Sequence, residues 1–117
     1  MVELKTWGER SIFKYEGTIE LGTQIYFGNR QIIRISSEQY KELLEMFRGR
    51  TVNIGTSRTN PPNGSVGEWL INNISRVAIS SYVGAILIHE GYAVKIGGPD
   101  IRFSSLSNYI KLSEVAT

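Results

Sequence analysis

Residues 51–70, TVNIGTSRTNPPNGSVGEWL, decide the fold because they combine a strand, a polar loop and a helix start. Thr51 to Ile54 is rich in β-branched residues and predicts a short strand. Ser65 and Glu68 have the spacing of a capping box, which predicts that a helix begins directly after Ser65. Between strand and helix lies a loop of hydroxyl, amide, Gly and Pro residues, in which Arg58 is the one charged side chain.

Antiparallel strands are predicted upstream of this stretch. Gly28-Asn29 separates strand-like residues 25–27 from 31–35, and Gly first in a two-residue loop is typical of a type II′ hairpin. Residues 12–21 predict another strand, in which Gly17 marks a bulge or a close backbone approach.

The first helix is predicted to begin at Ser36 or Ser37, because Ser36 and Gln39 form a second capping-box pattern. Gly49 predicts its end. Its apolar stripe has i, i+3, i+4, i+7 spacing and consists of Tyr40, Leu43, Leu44 and Phe47.

The second helix is predicted to run from Val66 to Gly91, with Gly84 as a point where it divides. No charged residue lies between Arg76 and His89, and the apolar residues cover more than one stripe. A helix that is apolar all round must be buried on several sides, so we expect burial against its own sheet and against another subunit.

The remaining segments predict strands and turns. Residues 1–10 fit either a first strand or a frayed arm, and Gly22-Thr23 predicts a turn. Residues 92–96 and 101–104 predict a hairpin, and a last strand is predicted around residues 109–112. The predicted fold is a single α+β domain, an antiparallel β-sheet with two α-helices packed on it.

Composition limits the classes of protein. A chain of 117 residues with 41% apolar and 21% charged residues predicts one folded domain. No segment approaches the ~18 apolar residues of a membrane span, and residues 1–11 lack the apolar core of a signal peptide, so a cytoplasmic location is expected. The absence of Cys excludes disulfides and thiolate sites, and the net charge of +2 fits a small anionic ligand as well as a nucleic acid.

The polar loop predicts an anion site, because a helix N-terminus carries unpaired N–H groups and Arg binds phosphate bidentately. The Walker pattern is missing, so no P-loop is implied. The loop also fits a solvated turn in which Ser65 only caps the helix. The hydrogen-bonding neighbours of Arg58 are Thr56, Ser57, Thr59 and Asn60.

No catalytic or metal-binding set is evident. His89 is the only histidine and no carboxylate cluster accompanies it, so neither a metal nor another cofactor is expected. An enzyme with Glu68 or Glu90 as general base is the weakest alternative, because neither acid has an evident partner.

Aromatic side chains offer two further possibilities. Most are core residues by default, but Tyr82 or Tyr109 could stack on a purine, with Arg102 adding positive charge. The alternative function is a small nucleic-acid-binding module, whose surface would consist of Tyr26, Phe27, Arg30, Arg34 and Arg50.

The segments FRGRTVNIGTSRTNPPNGSVGEWLI and EGTIELGTQIYF, within a chain of this size, resemble the phage anti-Thoeris proteins of the first type, a signal-sequestering "sponge" family. The resemblance implies a non-enzymatic protein in the host cytoplasm that binds cyclic ADP-ribose isomers made by bacterial TIR-domain proteins. Some family members also hold cyclic oligonucleotides.

The resemblance further implies dimers that assemble into larger homo-oligomers, with ligand pockets at subunit contacts. Family pockets use Arg, Asn and an aromatic ring. In this sequence Arg58, Asn60 and Tyr82 are the candidates, with Arg102 and Tyr109 as second choices.

Overall fold

The computed structural model describes residues 1–105, so Tyr109 and the last predicted strand lie outside the described residues. Seven strands and three helices follow one another in this part of the chain. In order they are β1 (Val2–Lys5), β2 (Ile12–Thr18), β3 (Gly22–Phe27), β4 (Gln31–Ile35), α1 (Ser37–Phe47), β5 (Thr51–Asn53), α2 (Val66–Asn73), α3 (Ser80–His89), β6 (Ala93–Gly97) and β7 (Asp100–Phe103).

The strands form two antiparallel sheets. The larger sheet has the order β1-β2-β3-β4, and the smaller sheet has the order β5-β7-β6. The helices pack on these sheets, with α1 against β3 and α3 against both β1 and β6. The predicted α+β class is therefore confirmed, with the strands divided between two sheets and a third helix added. Residues 1–10 contribute a strand, β1.

Alternate side chains along the strands of the larger sheet are buried and exposed, so one face of the sheet packs on the core and the other faces solvent. Phe13, Tyr15 and Ile25 are buried on its inner face, whereas Lys14 and Glu16 are exposed on its outer face. This two-residue period is what a sheet with one solvated face requires.

Gly17 lies at a close approach between β2 and β3, as predicted. Its φ is +90°, and a Cβ there would lie 2.2 Å from the carbonyl oxygen of Gly22. Only glycine fits both the conformation and the space.

Two turn predictions were wrong. Gly22 and Thr23 lie in β3 rather than in a turn, and the chain reverses at residues 19–21, where both the carbonyl and the hydroxyl of Thr18 accept from the Leu21 N–H. The β3–β4 hairpin has a three-residue loop, residues 28–30, because Phe27 pairs with Gln31.

The first helix follows its local sequence signals. The Ser36 hydroxyl accepts from the Gln39 N–H at 3.1 Å, and the Gln39 side chain accepts from the Ser36 N–H at 2.9 Å, so the capping box is complete. Gly49 follows the helix with a φ of +70°. The predicted apolar stripe is buried throughout: Tyr40, Leu43, Leu44 and Phe47.

The second predicted helix is divided at residues 74–79, not at Gly84. The N–H groups of Ile74 and Ser75 both donate to the Leu70 carbonyl, which ends α2. Gly84 instead lies within α3, where a Cβ would be 2.7 Å from Ile54 Cδ1 and 2.9 Å from Trp7 Cε3. The glycine therefore admits core side chains beside the helix.

The core joins both sheets and all three helices. The second predicted helix was expected to be buried partly against another subunit, but four of its apolar residues are fully buried within the chain itself: Leu70, Val83, Ile86 and Leu87. Among residues 1–105, no helix has both the length and the apolar character that crossing a membrane requires.

Candidate ligand-binding cleft

The polar loop, residues 56–64, is fastened at both ends. At its start, the Gly55 N–H donates to the Asn53 side chain at 2.8 Å, and the Gly55 carbonyl accepts from the buried Ser80 hydroxyl at 2.8 Å. At its end, the Ser65 N–H donates to the Pro62 carbonyl at 3.1 Å. The bonds of Gly55 fix where the loop leaves the core, and the bond between Ser65 and Pro62 closes a turn directly before α2.

At the start of α2, two N–H groups already have partners within the chain: that of Gly67 donates to the Ile54 carbonyl at 2.9 Å, and that of Glu68 donates to the Ser65 hydroxyl at 3.1 Å. The Glu68 carboxylate accepts from the Gly64 N–H at 2.9 Å instead of from the Ser65 N–H, so the capping box of Ser65 and Glu68 forms only in part. A ligand there would have to displace these bonds.

A cleft of about 400 Å³ lies instead beside the loop, where three separate segments of the chain meet. We call it the arginine cleft. Its walls come from the β3–β4 hairpin, from the linker between α2 and α3 with the first turn of α3, and from the polar loop. The lining residues are Phe27, Gly28, Gln31, Arg58, Arg76, Val77, Ala78 and Tyr82.

One wall of the arginine cleft is aromatic. The rings of Phe27 and Tyr82 have centroids 4.6 Å apart and a tilt of 33°. Phe13, beneath them in the core, meets Tyr82 edge-on at 5.1 Å. Because β3 and α3 each belong to the packed core, this pair of rings is held in place before any ligand arrives.

Two guanidinium groups supply the charge of the cleft. Arg58 and Arg76 are both exposed, and no acidic residue lines the cleft with them. Within residues 1–105 the one ion pair joins Arg48 to Glu45, so neither cleft arginine has a carboxylate partner there. The cleft therefore carries two positive charges that its own walls do not neutralise.

The structure brings together two of the predicted site residues, Arg58 and Tyr82, and adds Arg76. Thr59 and Asn60 are exposed in the loop but do not line the cleft. Arg102 lies on β7 in the smaller sheet, where its Nε donates to the Thr51 hydroxyl at 3.3 Å. The one sequence signal for Arg76 was its position as the last charge before a long apolar run.

The structure brings part of the alternative nucleic-acid surface together. Tyr26, Phe27 and Arg30 line one cleft at the end of the larger sheet. The Tyr26 hydroxyl donates to the Glu16 carboxylate, which raises the pKa of the phenol. Arg50 lies elsewhere, 5.5 Å from the Phe47 ring centroid.

The candidate acids of the enzyme alternative have structural partners. The Glu90 carboxylate accepts from the Tyr15 hydroxyl at 2.6 Å and from the Ile19 N–H at 2.9 Å, which ties the end of α3 to the larger sheet. Glu68 is occupied by the Gly64 N–H. His89 is exposed, and residues 1–105 contain no group of three His, Cys, Asp or Glu side chains arranged to hold a metal ion.

Comparisons of the chain with protein-family models, with curated proteins and with solved structures gave no match.

Proposed function

We propose that the chain binds a small phosphate-bearing nucleotide in the arginine cleft and sequesters it without cleaving it. The observation that carries the proposal is the combination of two uncompensated arginines with an aromatic wall in one cleft. Its volume of about 400 Å³ falls within the range of small-molecule sites in proteins.

The arginines favour phosphate over other ligand groups. A guanidinium presents its N–H donors in a planar fork that matches two phosphate oxygens. Arg58 and Arg76 come from different segments, so together they suit a ligand with more than one phosphate oxygen pair. An anion placed between them would also relieve the repulsion between two like charges.

The aromatic wall favours a nucleotide over inorganic phosphate. A base or a ribose would cover the exposed parts of the Phe27 and Tyr82 rings, and stacking on an aromatic ring contributes about 1–3 kcal/mol per base. Gln31, at the first position of β4, adds an amide that can both donate to and accept from a base edge.

The resemblance to the anti-Thoeris sponges narrows the proposed ligand to a cyclic ADP-ribose isomer, with cyclic oligonucleotides as a further class. By the same resemblance, the proposed role is that of a phage counter-defence protein that acts as a homo-oligomer in the host cytoplasm. The exposed apolar residues that support a contact with a second copy are Ile12 and Ile32 on the larger sheet and Val77 at the cleft, exposed by 60%, 48% and 45%. Gel filtration at the monomer mass would contradict the oligomer.

Release of the bound ligand by heat tests sequestration. The protein is incubated with cyclic ADP-ribose, passed through a desalting column and heat-denatured, and the supernatant is analysed by mass spectrometry. We expect intact ligand in stoichiometric amount. A hydrolysed product would contradict sequestration and favour an enzyme, and an empty supernatant would contradict binding.

A matched pair of variants assigns the ligand to the cleft. Arg58→Ala is expected to retain less ligand with little change in thermal stability, because Arg58 is exposed and has no carboxylate partner in the described chain. Arg102→Ala removes the same charge from the smaller sheet and is expected to retain as much ligand as the unmodified protein. Equal retention by both variants would place the ligand elsewhere.

A further inference from the structure

A second cleft, of about 280 Å³, lies away from the arginine cleft and shares no lining residue with it. We call it the tryptophan cleft. It lies between β1, the loop after β1, the last turns of α3 and the strand β6. The residues that line it are Leu4, Lys5, Thr6, Trp7, Glu9, Ala85, Ile88, His89 and Lys95.

Trp7 is the fixed wall of this cleft. Its backbone N–H donates to the Ser81 carbonyl at 2.9 Å, and its indole N–H donates to the Gly98 carbonyl at 3.2 Å. The indole ring packs closely against α3 at Gly84, because this residue has no side chain that would occupy the same space. The indole thereby joins the larger sheet, α3 and the smaller sheet, and its position is set without a ligand.

Lys95 holds a positive charge at the mouth of the cleft. Its Nζ lies 4.7 Å from the Trp7 ring centroid and donates to the Trp7 carbonyl at 2.8 Å. An ammonium has three donors, so two remain for a ligand. Because the cation is already held by the ring and the carbonyl, a ligand does not have to order a free lysine side chain.

The chemistry of the lining combines apolar walls with a cationic mouth. Leu4, Ala85 and Ile88 are partly buried and provide aliphatic surface. At the mouth, the two ammonium groups of Lys5 and Lys95 outnumber the single carboxylate of Glu9. Aliphatic walls with an excess of cations complement a ligand with an apolar body and one anionic head.

We propose that the tryptophan cleft is a second ligand site, which takes a small amphipathic carboxylate such as a medium-chain fatty acid. The carboxylate head lies at the Lys95 ammonium, and the hydrocarbon chain lies along Leu4 and the aliphatic side chains of α3, next to the edge of the buried Trp7 ring. The site does not depend on the nucleotide proposed for the arginine cleft, since the two clefts have no residue in common.

Trp7 fluorescence provides the test. The chain contains two tryptophans, so Trp69→Phe leaves Trp7 as the only one. Octanoate is titrated into this protein in the millimolar range, below its micelle concentration, and a saturable change in Trp7 emission is expected. The neutral alcohol 1-octanol is titrated in parallel to separate the contribution of the charge from that of the chain.

Three further variants in the same Trp69→Phe background decide the outcome. Lys95→Gln is expected to weaken octanoate binding about fivefold and to leave 1-octanol binding unchanged, because only the carboxylate needs the charge. Ala85→Leu fills the cleft and is expected to weaken both ligands. Lys41→Gln, on the exposed side of α1, is the control and is expected to change neither.

Two results would overturn the proposal. One is an octanoate titration with no saturable change in Trp7 emission. The other is octanoate affinity that is the same in Lys95→Gln and Lys41→Gln proteins. Circular dichroism melting of each variant verifies that it is folded, so that a loss of binding reports on the cleft.

Discussion

Gly67, in the first turn of α2, lies against the backbone at the start of the polar loop. A Cβ on this residue would be 1.8 Å from the Gly55 carbonyl oxygen. In an open helix Gly→Ala is stabilising by up to about 1 kcal/mol. Here the alanine would push two backbone segments apart, so Gly67→Ala is expected to lower the free energy of unfolding by ~2 kcal/mol or more, measured by chemical denaturation.

The matched control for Gly67 is Gly8, because a Cβ there would meet nothing within 4 Å. Gly8→Ala is expected to change the free energy of unfolding by no more than about 0.5 kcal/mol. Equal stability of the two variants would mean that the loop start and α2 are not in contact.

The sequence identified some residues of the arginine cleft and missed others. Arg58 could be found because it is the lone charge in a polar loop. Thr59 was predicted as a neighbour of Arg58, and Asn60 as a neighbour and through the family resemblance, but neither argument determines which side chains of a loop share a cleft. Arg76 could not be assigned, because its role depends on a helix break and on a hairpin more than forty residues away.

At the scale of one helix, the capping box of α1 is a local feature with a measurable contribution. Ser36→Ala removes the acceptor of the Gln39 N–H and is expected to lower the free energy of unfolding by about 1 kcal/mol. Ser36→Asp keeps an acceptor at the N-cap and is expected to retain most of that stability. Unfolding of both variants in urea measures the difference. An Asp variant as unstable as the Ala variant would contradict this account of the cap.

Elements with local causes were predicted well, and elements with tertiary causes were not. The capping box at Ser36, the stripe of α1 and the glycine after it all depend on residues three or four positions apart. The break between α2 and α3 does not, because an apolar run fits one long buried helix as well as two short ones. The break was predicted at Gly84 because glycine is unfavourable within a helix. In the structure, the missing side chain of Gly84 instead leaves space for Trp7 and Ile54.

The whole molecule should lose stability in alkali, because two tyrosines are buried between sheet and helices. Burial is the main cause that raises the pKa of both Tyr15 and Tyr40 above the ordinary value of 10.0, and the Glu90 carboxylate adds to it for Tyr15. Above that pH the unfolded chain releases protons that the folded chain retains. The folded state then binds more protons, so the free energy of unfolding falls as pH rises through about 10.

Unfolding of the protein by guanidinium chloride at about pH 8 and at about pH 11 measures this loss of stability. In a Tyr15→Phe/Tyr40→Phe protein the stability at the lower pH is smaller, since two buried hydroxyl bonds are removed, but the further loss in alkali is expected to be reduced. The same alkaline loss in both proteins would assign the effect to other groups.

At the same scale, the arginine cleft forms where the polar loop, the β3–β4 hairpin and the α2–α3 linker converge. The central proposal is that this cleft binds the nucleotide. Isothermal titration calorimetry with cyclic ADP-ribose, on the unmodified protein and on the Arg58→Ala, Arg76→Ala and Arg102→Ala variants, tests that proposal most directly. We predict that each cleft variant binds about tenfold or more weakly, as loss of a charged hydrogen bond implies, while Arg102→Ala binds like the unmodified protein. No binding to the unmodified protein, or equal affinity in all four, would contradict the account.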